Sequence, residues 1–114
     1  MKLTTETKNG VPVLSPRGRI DHQTSDEFRE ALMSRIEGPE GPMPLVVSFA
    51  GVDYVNSEGL RVLLFVSQRL AKMKGTLVLC EMKEHIREIF KISGFDKALP
   101  VTDTEADALK QLHR

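Results

Sequence analysis

Cysteine is nearly absent from this chain of 114 residues, which has only Cys80. A single thiol cannot form an internal disulfide, and it cannot supply a zinc ribbon or a Cys-x-x-Cys redox pair. Because Cys80 ends an apolar run, we expect it to fill space in a buried strand. We therefore do not expect cysteine chemistry.

Long apolar runs and an excess of either charge are also missing. The apolar stretches are far shorter than the roughly 20 residues that span a bilayer, and the N-terminus lacks the apolar centre of a signal peptide. Basic and acidic residues number 16 each, so there is no global electrostatic reason to expect nucleic acid or a membrane as a partner. The hydrophobic content of 40% suits one globular domain over residues 1–114, which we expect in the cytoplasm.

What is present is an alternation of predicted strands and helices. Strands at 3–7 and 11–14 flank an Asn-Gly pair, which predicts an antiparallel hairpin. Pro16 and Gly18 interrupt its second strand. The other predicted elements are strands at 45–49, 76–80 and 98–101, and helices at 24–36, 57–74, 83–92 and from about residue 104 onward. The pattern predicts an α/β fold with a small, mostly parallel β-sheet, entered by the antiparallel N-terminal hairpin, and about four α-helices.

Sequence signals mark several helix ends. Thr24 and Glu27 match a Thr-x-x-Glu capping box, in which each side chain accepts a hydrogen bond from the backbone N–H of the other. Gly75 and Gly94 stand where the second and third helices should end in a left-handed residue. The first helix should end in the Gly- and Pro-rich loop at 38–42.

Ser57 lies at a predicted strand-to-helix junction, in one of two loops where function should collect, 21–24 and 53–58. The first N–H groups of a helix lack partners, so this corner can receive a negative group. A hydrolytic serine would need a nearby base, but the glycine that normally precedes it is absent, and only His22 lies in a loop that could approach. The simplest interpretation is that Ser57 is the N-cap of the second helix.

A metal or cofactor site has weaker support. Four residues could place oxygen atoms around this corner: Asp21, Asp53, Asn56 and Glu58. Their spacing matches no calcium loop, and acidic residues at helix starts are expected from the helix dipole alone. The sequence has no Gly-rich nucleotide motif, and His22 and His85 have no partner at ligand spacing. We therefore predict no metal, no cofactor and no catalytic residue, so that the protein is not an enzyme.

Phe65 breaks the pattern of the second helix, because it falls inside the polar arc beside Arg61, Gln68 and Arg69. An aromatic side chain surrounded by arginines is typical of a protein contact surface. The alternative is that a neighbouring helix or loop covers Phe65. The sequence alone does not separate these two possibilities.

Three motifs in register resemble the STAS domain of the bacterial anti-sigma factor antagonist family over nearly the whole chain. Residues 18–24, Gly-Arg-Ile-Asp-His-Gln-Thr, resemble the Gly-x-Leu-Asp turn before the family's first helix. Residues 56–60, Asn-Ser-Glu-Gly-Leu, resemble the Asp-Ser-Ser/Thr-Gly-Leu signature at the start of its second helix. Residues 77–80 with 89–95 resemble the later strand and helix end. Asn56 and Glu58 depart from the signature.

The resemblance implies a binding function controlled by phosphorylation. The unphosphorylated antagonist would bind a GHKL-type serine kinase that is also an anti-sigma factor, and so release a sigma factor. Phosphorylation of Ser57 would end this binding, and a PP2C-type phosphatase would restore it. The partner-binding residues implied are Asp21, His22, Thr24, Asn56, Ser57, Glu58, Gly59, Arg61 and Phe65. The alternative is a STAS adaptor subunit of a transport or scaffold complex that is not phosphorylated; a weak homodimer is compatible with either.

Overall fold

The computed structural model describes residues 1–37 and 44–112. It has five strands, β1 (Lys2–Lys8), β2 (Val11–Ile20), β3 (Leu45–Ser48), β4 (Gly51–Val55) and β5 (Leu77–Cys80), and five helices, α1 (Ser25–Ile36), α2 (Ser57–Lys72), α3 (Glu84–Ser93), α4 (Phe95–Ala98) and α5 (Glu105–Leu112). The predicted α/β fold is confirmed. The predicted loop at 38–42 lies outside the described residues.

The sheet has the order β1-β2-β3-β5, with β4 also paired to β2. β1 and β2 are antiparallel, and the other pairs are parallel, as predicted. Asn9 and Gly10 both have positive φ, 54° and 78°, which is the geometry of a two-residue hairpin turn. The antiparallel entry into a parallel sheet therefore follows from the Asn-Gly turn.

β2 is longer than predicted, because Pro16 and Gly18 do not interrupt it. β2 pairs with β3 as far as Leu14 and with β4 from Arg17. Pro16 thus stands where the strand changes neighbours, a place where a missing N–H costs no ladder bond. Gly18, at φ 91°, accommodates a shift in register just after it.

β4 was not predicted, and it positions the site. Val52 and Val55 are buried while Asp53 and Tyr54 are exposed. The strand pairs in parallel with the end of β2, so that Val55 lies opposite Ile20. The loop after β2 and the start of α2 therefore emerge side by side from the same edge of the sheet.

The predicted capping box at Thr24 is wrong, although α1 does begin after it. The Thr24 hydroxyl donates to the Arg19 carbonyl (2.8 Å) and accepts from the Asp21 N–H (3.0 Å), so it closes the preceding turn and makes no bond to the helix. The Glu27 carboxylate instead pairs with the N-terminal amino group of Met1. The cause is the backbone of Thr24, whose helical ψ of −10° turns the side chain away from the first helical turn.

Two predicted elements after α2 also differ. The left-handed residue that ends α2 is Lys74, at φ 64°, and the N–H of Gly75 donates to the Leu70 carbonyl (2.7 Å). The predicted strand at 98–101 is wrong, since the short helix α4 occupies its start and only Val101 makes a bridge, to Leu79. The predicted left-handed end of α3 at Gly94 is confirmed, at φ 79°.

The core lies on both faces of the sheet. The larger cluster packs α1, α2 and α3 on one face, around Phe28, Leu63 and Phe90. The smaller one packs α5 on the other face, and it includes Cys80. Burial raises the pKa of the Cys80 thiol to about 12, so the thiol stays protonated and serves as packing, as predicted. None of the helices among residues 1–37 and 44–112 is long and apolar enough to cross a membrane.

Candidate functional site

The two loops singled out in the sequence meet at one corner of the molecule. The backbone N–H of Asn56 donates to the carbonyl of Ile20 (3.1 Å), which ties the start of α2 to the end of β2. The corner is therefore built on two paired strands, and such strands hold side chains more rigidly than a free loop does.

Asn56, and not Ser57, is the N-cap of α2. Its side-chain oxygen accepts hydrogen bonds from the N–H groups of Glu58 (3.0 Å) and Gly59 (3.2 Å), with the extended backbone that an N-cap residue adopts. The interpretation of Ser57 as a cap is therefore wrong. Ser57 is the first helical residue, its side chain is exposed, and its hydroxyl does not cap the helix.

The cap makes a prediction about stability. Asn56→Ala should lower the free energy of unfolding by about 1 kcal/mol, because two N–H groups lose their acceptor. Asn56→Asp keeps the acceptor and adds a charge that the helix dipole favours, so it should be at least as stable as the wild type. Urea denaturation measures both. Equal losses in the two variants would contradict the capping role.

Gly59 lies directly against the two strand ends. A β-carbon at this position would stand 2.7 Å from the Cγ2 methyl groups of both Ile20 and Val55. Only glycine lets the first turn of α2 come this close to the sheet. Gly59 was predicted to bind the partner, but it is buried. Its structural role is to let α2 pack closely against the sheet.

Glu58 joins the two helix starts. Its carboxylate accepts a hydrogen bond from the Ser25 hydroxyl (3.3 Å), across 33 residues of chain. The residue is half-buried, and this contact directs its charge toward α1. Ser25 was not singled out in the sequence, and no local signal marks it, because the contact exists only once α1 and α2 are packed together.

The Asp21 loop is held by its own hydrogen bonds. The Asp21 carboxylate accepts a hydrogen bond from the backbone N–H of Gln23 (2.9 Å) and lies 3.4 Å from the Arg19 guanidinium. The hydrogen bond from Gln23, and to a smaller extent the contact with Arg19, hold the pKa of Asp21 below its usual range. His22, next to it, is exposed. The corner therefore presents a fixed negative charge beside an imidazole.

A row of exposed side chains runs along α2 from this corner. Ser57, Arg61, Phe65 and Arg69 follow at intervals of four residues, so each is a neighbour of the next along the exposed side of the helix. We call these four residues the α2 row. Phe65 is 46% exposed, so the alternative that a neighbouring element covers it is wrong for the part of the chain that the structure describes. Arg69 pairs with Glu37 (3.3 Å) at the far end of the row.

Within the described residues, the corner does not bring together the side chains that hydrolysis or metal binding requires. Within the described ranges, the Ser57 hydroxyl has no hydrogen bond to a histidine; His85 instead lies 2.6 Å from the Asp53 carbonyl. The Asp53 carboxylate pairs with Lys83, which holds the pKa of Asp53 below its usual range. No three His, Cys, Asp or Glu residues of the described chain are grouped so that they could hold a metal ion.

An exposed aromatic residue at the same edge was missed. Tyr54 is 37% exposed, and the guanidinium of Arg19 lies 4.2 Å from the centre of its ring. Simple alternation could not reveal it, because buried Val52 and Val55 are three residues apart, across the register shift that leaves Asp53 unpaired.

Comparison with known proteins agrees with this architecture. The STAS domain family matches residues 2–108. BtrV of Bordetella bronchiseptica, named as a candidate anti-sigma factor antagonist, is 34% identical over 95% of this chain and 91% of its own. The anti-sigma-F factor antagonist RsfB of Mycobacterium tuberculosis is 30% identical over 94% of this chain and 85% of its own.

A solved structure gives the same result in three dimensions. The crystal structure of an anti-sigma factor antagonist from Mycobacterium paratuberculosis superposes with a TM-score of 0.86, at 27% identity, over 97% of this chain and 92% of that one. With its Ser57 corner built on β2 and β4, this chain belongs to the STAS domain family, among relatives that are named anti-sigma factor antagonists.

Proposed function

We propose that this protein is an anti-sigma factor antagonist, a cytoplasmic regulator with residues 1–114 as a single STAS domain. Its partner is an anti-sigma factor that is also a GHKL-type serine kinase, and binding of the antagonist releases a sigma factor. The names of the relatives support the general role. The docking surface consists of the Asp21 loop, the Ser57 corner and the α2 row.

Phosphorylation of Ser57 is the switch in this proposal. The observation that carries it is the hydroxyl itself, which is exposed at the first position of α2 while Asn56 does the capping. The kinase transfers the γ-phosphoryl group of ATP to Oγ, so that an O–P bond forms, the bond to ADP breaks and the hydroxyl proton is released. A PP2C-type phosphatase hydrolyses the phosphoserine back to serine and inorganic phosphate.

The signature departures are compatible with this switch. Asn56 supplies one cap oxygen, Oδ1, in the place of an aspartate carboxylate oxygen, without the negative charge. Glu58 brings a carboxylate, but its contact with Ser25 turns that charge toward α1. The immediate surroundings of the hydroxyl are therefore no more acidic than an aspartate at position 56 would make them.

The test is phosphorylation of the whole protein by its cognate kinase with ATP, followed by intact mass measurement. We expect the gain of one phosphate in the wild type and none in Ser57→Ala. Ser34→Ala removes an exposed serine of α1 and is the matched control, which should be modified like the wild type. A phosphate that persists in Ser57→Ala would contradict the assignment.

The docking surface makes its own prediction. Phe65→Ala should weaken kinase binding about tenfold, because exposed aromatic side chains flanked by arginines are typical binding hot spots. The free energy of unfolding should change by less than about 1 kcal/mol, since the ring is half-exposed. Calorimetric titration and urea denaturation measure the two quantities.

Ile92→Ala is the control for Phe65→Ala. Ile92 is 80% exposed on α3, away from the α2 row, so its loss should leave kinase binding unchanged. Equal weakening by both variants would show that general hydrophobicity, and not this surface, determines binding.

A further inference from the structure

Arg61 faces Ser57 across one turn of α2. Its Nη2 atom lies 3.4 Å from the Ser57 Oγ, and both side chains are exposed. The four-residue interval brings the two side chains together on the same face of the helix. A group added to the hydroxyl is therefore close to this guanidinium even when no partner is bound.

We propose that Arg61 is the phosphate-binding residue of the phosphorylated protein, and that phosphorylation withdraws its guanidinium from the docking surface. This rests on the proposed function, which supplies the phosphate at Ser57. Phosphate oxygens extend beyond Oγ, so they close the present gap to the shorter separation of about 2.7–2.9 Å that is typical of charge-assisted hydrogen bonds. The planar guanidinium can bind two of these oxygens at once.

The helix start itself leaves the phosphate few other partners. The side chain of Asn56 already accepts from the N–H groups of Glu58 and Gly59, the donors that a helix start would otherwise offer an anion. The second arginine of the α2 row, Arg69, pairs with Glu37 at the other end of the helix. Of the two arginines of the α2 row, Arg61 is therefore the one placed to bind this phosphate.

Glu58, three residues before Arg61 on α2, has another partner. Glu58 is bound to the Ser25 hydroxyl at the start of α1. Among residues 1–37 and 44–112, the Arg61 guanidinium makes only the weak contact at 3.4 Å to the serine, so in the unphosphorylated protein it is available to carboxylates of a partner beside Phe65. Phosphorylation then changes the docking surface in two ways. It adds the negative phosphate at Ser57, and it pairs the Arg61 guanidinium with that phosphate.

The ionisation of the phosphate tests the contact directly. Phosphoserine is inserted at position 57 during translation, so that no kinase is needed, and its second ionisation is followed by ³¹P NMR. We expect a pKa below the ordinary value of about 6, because the guanidinium favours the dianion. Arg61→Gln should raise this pKa by at least about half a pH unit. Arg61→Lys should restore part of the difference, since it keeps the charge without the planar fork.

Arg69→Gln is the matched control, because it removes an arginine from the same row without approaching the phosphate. It should leave the phosphoserine pKa unchanged. Identical titrations of the wild type and Arg61→Gln would overturn the proposal. If the cognate kinase leaves Ser57 unmodified but the titration depends on Arg61, the proposed function fails and the contact stands. If the kinase phosphorylates Ser57 but the titration does not depend on Arg61, only the contact is rejected.

Discussion

Gly59→Val is expected to lower the free energy of unfolding by about 3 kcal/mol, the upper part of the usual range for an overpacked site. The β-carbon alone would stand 2.7 Å from methyl groups of Ile20 and Val55. Both neighbours are β-branched residues in paired strands, so their side chains cannot turn aside easily. Gly59→Ala should cost less, because it adds one carbon and gains up to about 1 kcal/mol of helix propensity. Urea denaturation gives each value.

A double-mutant cycle separates the clash from other effects of losing glycine. Val55→Ala removes one of the two methyl groups that the new β-carbon would meet. Gly59→Ala should therefore cost less in the Val55→Ala background than in the wild type. Strictly additive losses would show that the helix start does not depend on this close approach.

The fold could be predicted from the sequence where the signal is local. Asn9 and Gly10 specify the hairpin, and the apolar spacing of α2 and α3 specifies helices that cover a sheet. β4 escaped prediction because it is short and its two buried valines, Val52 and Val55, are three residues apart, which does not match the two-residue period of a strand. What makes it a strand is its pairing with the end of β2, a contact between residues more than 30 positions apart.

The sequence singled out residues of the candidate site, but it could not give their geometry. Apolar periodicity places the start of a helix only to within one or two residues, so it could not decide between Asn56 and Ser57 as the cap. The Thr24 capping box failed for a related reason, because a threonine hydroxyl can bond back into the preceding turn as well as forward into the helix. The exposure of Phe65 depends on which neighbours reach α2, and no pattern within the helix contains that information.

Phosphoserine at position 57 is expected to weaken kinase binding about a hundredfold, a difference of ~3 kcal/mol. The phosphate adds about −1.5 to −2 charges at a helix start, where the dipole tolerates it, so the fold should not change. In the complex the same charge would have to give up its water beside the partner, at the centre of the docking surface. The switch thus needs no large change of shape. Calorimetric titration of the two forms, with circular dichroism of each alone, measures both statements.

Phosphoserine inserted at position 34 is the control for this prediction, because Ser34 is an exposed residue of α1 outside the proposed docking surface. It adds the same charge to the protein and should leave binding nearly unchanged, so a comparable loss would mean that net charge alone repels the kinase. The effect at position 57 should also shrink only modestly between low and physiological salt, because a desolvation cost is screened far less than a repulsion between exposed charges. A loss of affinity below about threefold at position 57 would leave Ser57 phosphorylated but unable to act as a switch.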